Sequence, residues 1–232
     1  MIEGGMVIDF HGHPGRWGLT ESSPKNLLNS MDAIGVDYSV LFNIWHPEGT
    51  RGNDDTASMV AGNPDRFIGF AYVSPLMPET LVPELTRAFD ELHLMAIKLY
   101  PPFTGINLNE PPWDPIYKFA NERELVVIWH TGIEATTWPK FVADVAPRFP
   151  NATFVCGHSG NCPPMRAMAI EAAQNNANVY LETCSTFRTP GAIEELVNGA
   201  GADRVLYGSD VPLMDHRPQV GKIVTADISD DA

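Results

Sequence analysis

Two kinds of hydrophobic pattern alternate along the whole chain. Short apolar runs rich in β-branched and aromatic residues are followed by longer segments in which apolar residues recur every three or four positions. The short runs are typical of strands, and the longer segments are typical of helices that bury one face. The predicted strands cover residues 6–10, 38–42, 67–73, 95–99, 126–129, 153–156, 179–181 and 204–207.

The segments between the strands predict amphipathic helices. Leu27 and Met31 lie on one face of the first helix, and Ser23 followed by Pro24 is a typical helix start. Gly35 predicts a left-handed residue that ends this helix before the second strand. The other predicted helices cover residues 81–92, 113–121, 138–149, 165–174 and 192–197.

This alternation predicts repeated βα units around a parallel sheet. The centres of the strands recur every 25 to 32 residues, which leaves room for one strand, one helix and two short loops in each unit. No glycine-rich nucleotide loop follows the first strand, so a closed barrel is favoured over an open doubly wound sheet. We therefore predict an α/β fold of the (β/α)8 TIM-barrel type, with residues 1–232 as one domain.

The charge of the chain limits the partners that we expect. Lysine and arginine total 15 against 29 acidic residues, a formal net charge of −14, and no basic run offers a surface to a phosphate backbone. No apolar run approaches the length of a membrane span, and the first residues show no signal-peptide pattern. We expect neither a nucleic acid nor a membrane as a partner, and a small molecule as the substrate.

The cysteine content indicates a reducing compartment. Cys156, Cys162 and Cys184 are odd in number and lack the close paired spacing of a zinc ribbon or a disulfide scaffold. Free thiols persist in the cytosol, where disulfides are rare. We therefore expect a cytoplasmic protein.

The last residues resemble a helix start. Ser229 followed by Asp230 and Asp231 is typical of a capped first turn, and nothing follows it. This pattern predicts a barrel that lacks its last C-terminal helix. Part of the barrel wall would then be exposed, so we also expect that the chain could form a homo-oligomer.

Histidines and one aspartate follow the ends of four predicted strands. His11 and His13 end the first strand, two residues apart, so an extended chain points both side chains to the same side. His130 follows the fifth strand, His158 the sixth and Asp210 the eighth. The carboxyl ends of barrel strands meet at one face, where barrel active sites lie. The pattern predicts a divalent metal site, with zinc as the leading ion and manganese, iron or cobalt as alternatives.

The remaining three histidines lack this register. A single histidine at a strand end is more often a hydrogen-bonded structural residue than a metal ligand, so the prediction depends on the whole set. His93, in or just after a helix, is interpreted as a surface residue. His46 and His216 could contact substrate, but solvated loop positions are the favoured interpretation.

These motifs resemble the amidohydrolase superfamily, and most closely its amidohydrolase-related branch of hydrolases and decarboxylases. The resemblance implies that His11, His13, His130, His158 and Asp210 bind one or two metal ions that activate water. It also implies that Asp210 accepts a proton from that water. His158 would hold the water or stabilise the developing oxyanion.

Lys98 is a further candidate ligand. The run from Ala96 to Pro101 resembles the fourth-strand segment of dihydroorotases, in which the lysine is carbamylated and bridges two metals. A lysine inside the barrel must be neutralised, paired or modified, because an unpaired buried ammonium group is costly. The alternative is that Lys98 pairs with a substrate carboxylate or a neighbouring acid.

Candidate substrate residues lie in the loops that follow the strands. They are Arg16, Trp45, Arg51, Tyr100 and Arg188. Arginine binds a carboxylate in a bidentate manner, which indicates a small acidic or aromatic acid substrate. The alternatives are that the arginines pair with the abundant acidic residues and that Trp45 packs as part of a lid.

Two reactions fit this chemistry. The favoured interpretation is hydrolysis of a C–O or C–N bond in a small carboxylated molecule, such as a lactone or a cyclic amide. The alternative is nonoxidative decarboxylation, as the resemblance to aminocarboxymuconate-semialdehyde-type decarboxylases implies. A barrel that binds a ligand without chemistry is a third interpretation, which absence of a metal would favour.

Overall fold

Eight parallel strands form one sheet in the order of the sequence. The computed structural model describes residues 5–17, 20–184 and 189–229. Each strand pairs with the next one along the chain, as the prediction of repeated βα units requires. The strands are β1 (Ile8–Gly12), β2 (Tyr38–Leu41), β3 (Phe67–Tyr72), β4 (Ala96–Leu99), β5 (Val126–His130), β6 (Thr153–Gly157), β7 (Val179–Glu182) and β8 (Val205–Leu206).

Backbone hydrogen bonds bring the last strand back to the first. The amide of Phe10 donates to the carbonyl of Tyr207 over 2.9 Å, and the amide of Asp210 donates to the carbonyl of His11 over 2.7 Å. Gly12 and Val211 also form a parallel bridge. The sheet therefore closes into the predicted (β/α)8 TIM barrel, with the chain segment after β8 beside the end of β1.

A helix follows each strand and packs outside the barrel. The helices are α1 (Pro24–Ile34), α2 (Thr50–Gly62), α3 (Pro78–Asp90), α4 (Asp114–Glu122), α5 (Lys140–Val145), α6 (Pro163–Asn175), α7 (Ala192–Ala200) and α8 (His216–Val224). The hydroxyl of Ser23 accepts from the amide of Asn26, and Gly35 ends α1 with a φ of 79°, as predicted. Among the described residues, no helix is long and apolar enough to cross a membrane.

Alternating side chains divide the core into two layers. Ile97 and Leu99 of β4 point outward into the cluster between the strands and the helices. Lys98, between them, points into the barrel interior beside the aromatic ring of Phe42. The interior is otherwise filled by apolar side chains such as Val40. The interior cluster lies below the polar residues that gather at the strand ends.

Two features differ from the sequence-based expectations. A short antiparallel hairpin, Gly15–Trp17 with Thr20–Ser22, follows β1, and no hydrophobic pattern predicted it. A helix does follow the last strand: α8 packs against α1. The residues of β8 are only half-buried, and α8 brings His216 against Asp9 of the first strand.

Candidate active site

The first and last strands of the barrel meet at the carboxyl end of β1. His11 lies on β1 and His13 just after it, and both side chains are buried at the barrel mouth. The Nε2 atom of His13 lies 3.2 Å from Oδ1 of Asp210, and Nε2 of His11 lies 3.7 Å from the same oxygen. The structure thus brings together three of the predicted ligands, with one ligand atom of each within 4.8 Å of the others.

Two site residues have left-handed backbone. Asp210 has a φ of 66° and His158 a φ of 65°, a region that costs free energy for residues other than glycine. Hydrogen bonds hold both turns: the Asp210 amide donates to the His11 carbonyl, and the His158 amide donates to a carboxylate oxygen of Glu182 over 3.0 Å. Such strain at strand ends is typical of functional sites.

The neighbours of the two histidines define which nitrogen carries a proton. The His11 Nδ1 atom lies 3.0 Å from the Glu182 carboxylate, which only accepts, and its Nε2 lies 3.2 Å from the Lys98 ammonium group, which only donates. The His13 Nδ1 atom donates to the carbonyl of Phe42 over 3.1 Å. Both imidazoles therefore carry their proton on Nδ1 and present Nε2 towards Asp210.

This arrangement fits a divalent cation. The 3.2 Å contact between His13 Nε2 and Oδ1 of Asp210 is a hydrogen bond when Nε2 carries a proton, and a divalent cation can replace that proton, because metal binding to histidine releases it. Two imidazole nitrogens and a carboxylate oxygen are ligands that zinc accepts, and manganese, iron and cobalt also bind such sets. We interpret these three residues as the centre of the candidate metal site.

The electrostatic environment keeps the ligands in the form that metals bind. Burial alone would raise the pKa of Asp210, but the hydrogen bond with His13 and the nearby His11 and His158 outweigh it and hold the pKa well below its usual range. Burial, and then Lys98, lower the pKa of His11. The site therefore holds a carboxylate and a neutral imidazole at neutral pH.

Lys98 is the buried cation of the barrel interior. Burial lowers its pKa to about 8, although the acidic groups of Cys184, Asp210 and Glu182 oppose that effect. Its ammonium group also lies 4.6 Å from the centre of the Phe42 ring, which provides a favourable cation–π contact. Lys98 is therefore beside the candidate metal site, and its carbamylation and its role as a ligand stay predictions.

His130 and His158 lie together at the mouth, at the ends of β5 and β6. Their ring centres are 4.5 Å apart, and the His130 ring is 4.7 Å from the ring of Tyr100. The His158 ring also lies 4.7 Å from that of His11. His130 belongs to neither group of converging ligand atoms among the described residues. Its role as a metal ligand stays a prediction.

Sequence reasoning missed two residues of the site. Glu182 and Cys184 form a second group of converging atoms with His11 and His158. The Cys184 sulfur lies 2.9 Å from Nδ1 of His158, and burial followed by Glu182 raises the pKa of its thiol well above the usual value. A signal was present, because Glu182 is an acidic residue directly after the predicted seventh strand.

The candidate substrate residues are spread over the mouth. Tyr100, Phe103 and Trp45 form a row of aromatic rings, with centres 4.6 and 5.8 Å apart, that leads from His130 to the surface. Arg51 is exposed in the first turn of α2. Arg188 and the side chain of Arg16 lie outside the described residues. The substrate roles of all five predicted residues stay predictions.

The interpretation of His216 as a solvated loop residue is wrong. His216 begins α8, and its side chain is buried. Its Nε2 atom lies 3.0 Å from the carboxylate of Asp9, and its Nδ1 atom lies 2.8 Å from the hydroxyl of Ser30. The error arose because α8 was not expected. His93 is exposed, as predicted, and His46 lies beside Glu48 at the surface loop after β2.

Comparison with known families covers the whole barrel. A family model described as Amidohydrolase matches residues 8–232, from the first residue of β1 onward. The chain belongs to the amidohydrolase family. The resemblance that the strand-end motifs predicted is therefore confirmed, and this amidohydrolase is an enzyme of the corresponding superfamily.

Several of the similar proteins with named activities are decarboxylases, and one is a hydratase. The curated 2-amino-3-carboxymuconate-6-semialdehyde decarboxylase of Dictyostelium discoideum is 27% identical to the amidohydrolase over 197 residues. The match includes 69% of this chain and 55% of the relative, so the chain spans just over half the length of that protein.

Two solved structures show the same fold. The structure of 5-carboxyvanillate decarboxylase from Sphingomonas paucimobilis superimposes with a TM-score of 0.78 at 18% identity. That of 2,6-dihydroxybenzoate decarboxylase from Rhizobium gives a TM-score of 0.78 at 17% identity. Each superposition covers 97% of this chain and 94% of the other. At these identities the likeness confirms the TIM barrel.

Proposed function

We propose that this amidohydrolase is a metal-dependent, nonoxidative decarboxylase of a small aromatic or unsaturated carboxylic acid. The observation that carries the proposal is the 27% identity to a decarboxylase over 197 residues. The residues alone favour hydrolysis over decarboxylation, and the decarboxylases among the relatives favour the reverse order. The site supports this reading, because it combines metal ligands, a buried cation and aromatic side chains at one mouth.

His11, His13 and Asp210 would hold the metal ion. When bound, a divalent cation supplies a Lewis acid that stabilises negative charge on a substrate oxygen. The protein contributes by fixing the ligands before binding, since Glu182 orients His11 and the carbonyl of Phe42 orients His13. A buried, preorganised ligand set requires little side-chain motion when the ion binds.

Proton transfer is the task that we assign to His158. Decarboxylation breaks a C–C bond, leaves the electron pair on carbon and requires a proton at that carbon. Burial, followed by His11, lowers the pKa of His158 to about 3, so its imidazole is neutral at pH 7 and has one N–H and one lone pair. It can accept a proton from a substrate hydroxyl or carboxyl group and return it to the carbon.

Lys98 and the aromatic row define the substrate that we expect. The Lys98 ammonium group, buried in the interior, would pair with a carboxylate or phenolate oxygen of the substrate. Tyr100 and Trp45, joined through Phe103, offer flat surfaces to a planar acid. A planar, conjugated acid also stabilises the negative charge left on carbon after carbon dioxide departs.

A substrate panel tests the proposal. Aromatic and unsaturated acids, lactones and cyclic amides are each incubated with the protein and zinc or manganese, with chelator-treated protein as the control. We expect release of carbon dioxide from a planar acid only when metal is present. Ring opening of a lactone or cyclic amide without carbon dioxide would instead support hydrolysis and overturn the proposal.

A further inference from the structure

Glu182 is a buried carboxylate that takes no direct part in the proposed reaction. It ends β7 and is inaccessible to solvent. Its two oxygens accept from three N–H donors: Nδ1 of His11 at 3.0 Å, the amide of His158 at 3.0 Å and the amide of Cys184 at 2.5 Å. A buried carboxylate needs such donors to offset its lost hydration. One carboxylate thus connects the ends of β1, β6 and β7.

Glu182 and Lys98 act on opposite nitrogens of the same imidazole. A carboxylate accepts and an ammonium group donates, so together they require the proton of His11 to lie on Nδ1. The Nε2 atom is then unprotonated, and His11 shares with His13 and Asp210 a group of ligand atoms that lie within 4.8 Å of one another. With the proton on Nε2, His11 would have no lone pair for a metal at that position.

Space for this carboxylate depends on a glycine of the neighbouring strand end. A Cβ atom built on Gly208 would lie 1.9 Å from Oε1 and 2.6 Å from Cδ of Glu182. Such contacts cannot exist, so any side chain at 208 would displace the carboxylate. The close approach of the Glu182 side chain therefore requires glycine at position 208. The backbone does not, because the φ of Gly208 is outside the left-handed region.

We propose that Glu182 is a positioning residue that holds His11 in the Nδ1–H tautomer and so presents Nε2 to the metal ion. The inference rests on the metal site of the proposed function. It accounts for the approach of the Glu182 carboxylate to His11 through a hydrogen bond, without a second metal ion between those two residues. It also assigns a role to Gly208.

The first test is Glu182→Gln, which keeps the size of the side chain. Glutamine has one N–H2 group, which must face at least one of these three N–H donors, so the three-donor arrangement cannot persist. We expect the affinity for Co²⁺ to fall by about 10- to 100-fold, the range for partners of metal-bound histidines. In the metal-free protein, the ring NMR shifts of His11 should move towards the Nε2–H tautomer.

Glu171→Gln is the matched control, because Glu171 is exposed on α6. It should leave both the Co²⁺ affinity and the His11 tautomer unchanged. Wild-type Co²⁺ affinity in Glu182→Gln, or an unchanged tautomer, would overturn the inference. A thiolate-to-cobalt absorption band in the wild type would also overturn it, because the ion would then lie between Cys184 and His11. Failure of the wild type to bind any divalent ion contradicts the proposed function itself.

The second test is Gly208→Ala, which changes no charge and no hydrogen-bonding group. The added methyl group must displace the Glu182 carboxylate, so we expect Co²⁺ affinity to fall and the His11 signals to move in the same direction as in Glu182→Gln. Gly221→Ala is the control, since nothing lies within 4 Å of a Cβ atom at that position on α8. Unchanged Co²⁺ affinity in Gly208→Ala would contradict the role of Glu182.

Discussion

The negative charge of Asp210 is the central feature at the scale of single residues. Burial raises the pKa of Asp210, but the hydrogen bond with His13, followed by the nearby His11 and His158, lowers that pKa by more. The carboxyl group therefore stays ionised where an isolated buried one would take up a proton. The same charge that would bind the cation also polarises the imidazoles around it. Removing the charge while keeping the oxygen should therefore separate metal binding from turnover.

Asp210→Asn makes that separation. We expect the variant to retain much of its metal, because His11 and His13 remain and the amide oxygen can still bind. Turnover of the substrate found in the panel should fall by about 100-fold or more, since the family resemblance implies that Asp210 also accepts a proton, and proton transfer by a positioned group contributes about 10²–10⁴ in rate. Metal content by atomic absorption and the rate of carbon dioxide release measure the two effects.

Asp65→Asn is the control for this prediction, because Asp65 is exposed in the turn before β3. Its metal content and rate should equal those of the wild type. Full activity in Asp210→Asn would show that the negative charge of Asp210 takes no part in catalysis. Complete loss of metal would instead limit its role to that of a ligand.

Sequence reasoning identified residues whose spacing follows the strand period. His11 and His13 are two apart on a strand, and Asp210 directly follows a strand, so their common face was predictable. Glu182 was predictable in position but not in role, because nothing in the sequence shows that its carboxylate reaches three donors. His216 was not predictable, since its burial depends on how α8 packs against α1.

At the scale of elements, α8 is attached to the barrel through one buried side chain. His216, at the start of α8, bridges the Asp9 carboxylate on β1 and the Ser30 hydroxyl on α1. Asp9 in turn accepts from the amides of His11 and Ser209, the residue before Asp210. The helix therefore contacts, through two hydrogen bonds, the backbone that carries the candidate metal ligands.

We expect His216→Asn to destabilise the protein. The shorter side chain cannot reach both partners, and loss of one hydrogen bond to a buried carboxylate costs about 2–3 kcal/mol. For a domain of this size, that corresponds to a fall in the melting temperature of roughly 4–12 °C. Thermal unfolding followed by circular dichroism provides the measurement.

The same substitution at an exposed histidine is the control. His93→Asn should change the melting temperature little, because His93 is on the surface and asparagine tolerates its positive φ of 56°. Equal melting temperatures for His216→Asn and His93→Asn would show that the bridge between Asp9 and Ser30 does not stabilise α8.

The strands were easier to predict than the connections between them. Buried barrel strands are continuous apolar runs, so β5 and β6 were located to within one residue at each end. The hairpin Gly15–Trp17 with Thr20–Ser22 has three residues in each strand and no apolar run. Its pairing depends on the loop that connects β1 to α1, and a pattern read along the chain does not contain that information.

At the scale of the whole molecule, the candidate metal site lies where the first and last strands of the barrel meet. His13 and Asp210 are 197 residues apart in sequence and 3.2 Å apart in space. Only two residues of β8 pair with β7 in the sheet, so closure depends on the segment around Asp210 as much as on the strand. An ion at this position would therefore act where the first and last strands meet.

This placement predicts that metal removal lowers stability. An ion that binds only the folded barrel adds about 2.7 kcal/mol at a free concentration of 100 times Kd, because the unfolded chain cannot bring His13 and Asp210 together. For a domain of this length, the melting temperature should rise by roughly 5–11 °C when Zn²⁺ is restored to chelator-treated protein. Asp210→Ala, which removes one ligand, should show a smaller rise than wild type. An equal rise in the wild type and in Asp210→Ala would show that the stabilising ion binds elsewhere in the molecule, because Asp210 would then contribute nothing to its binding.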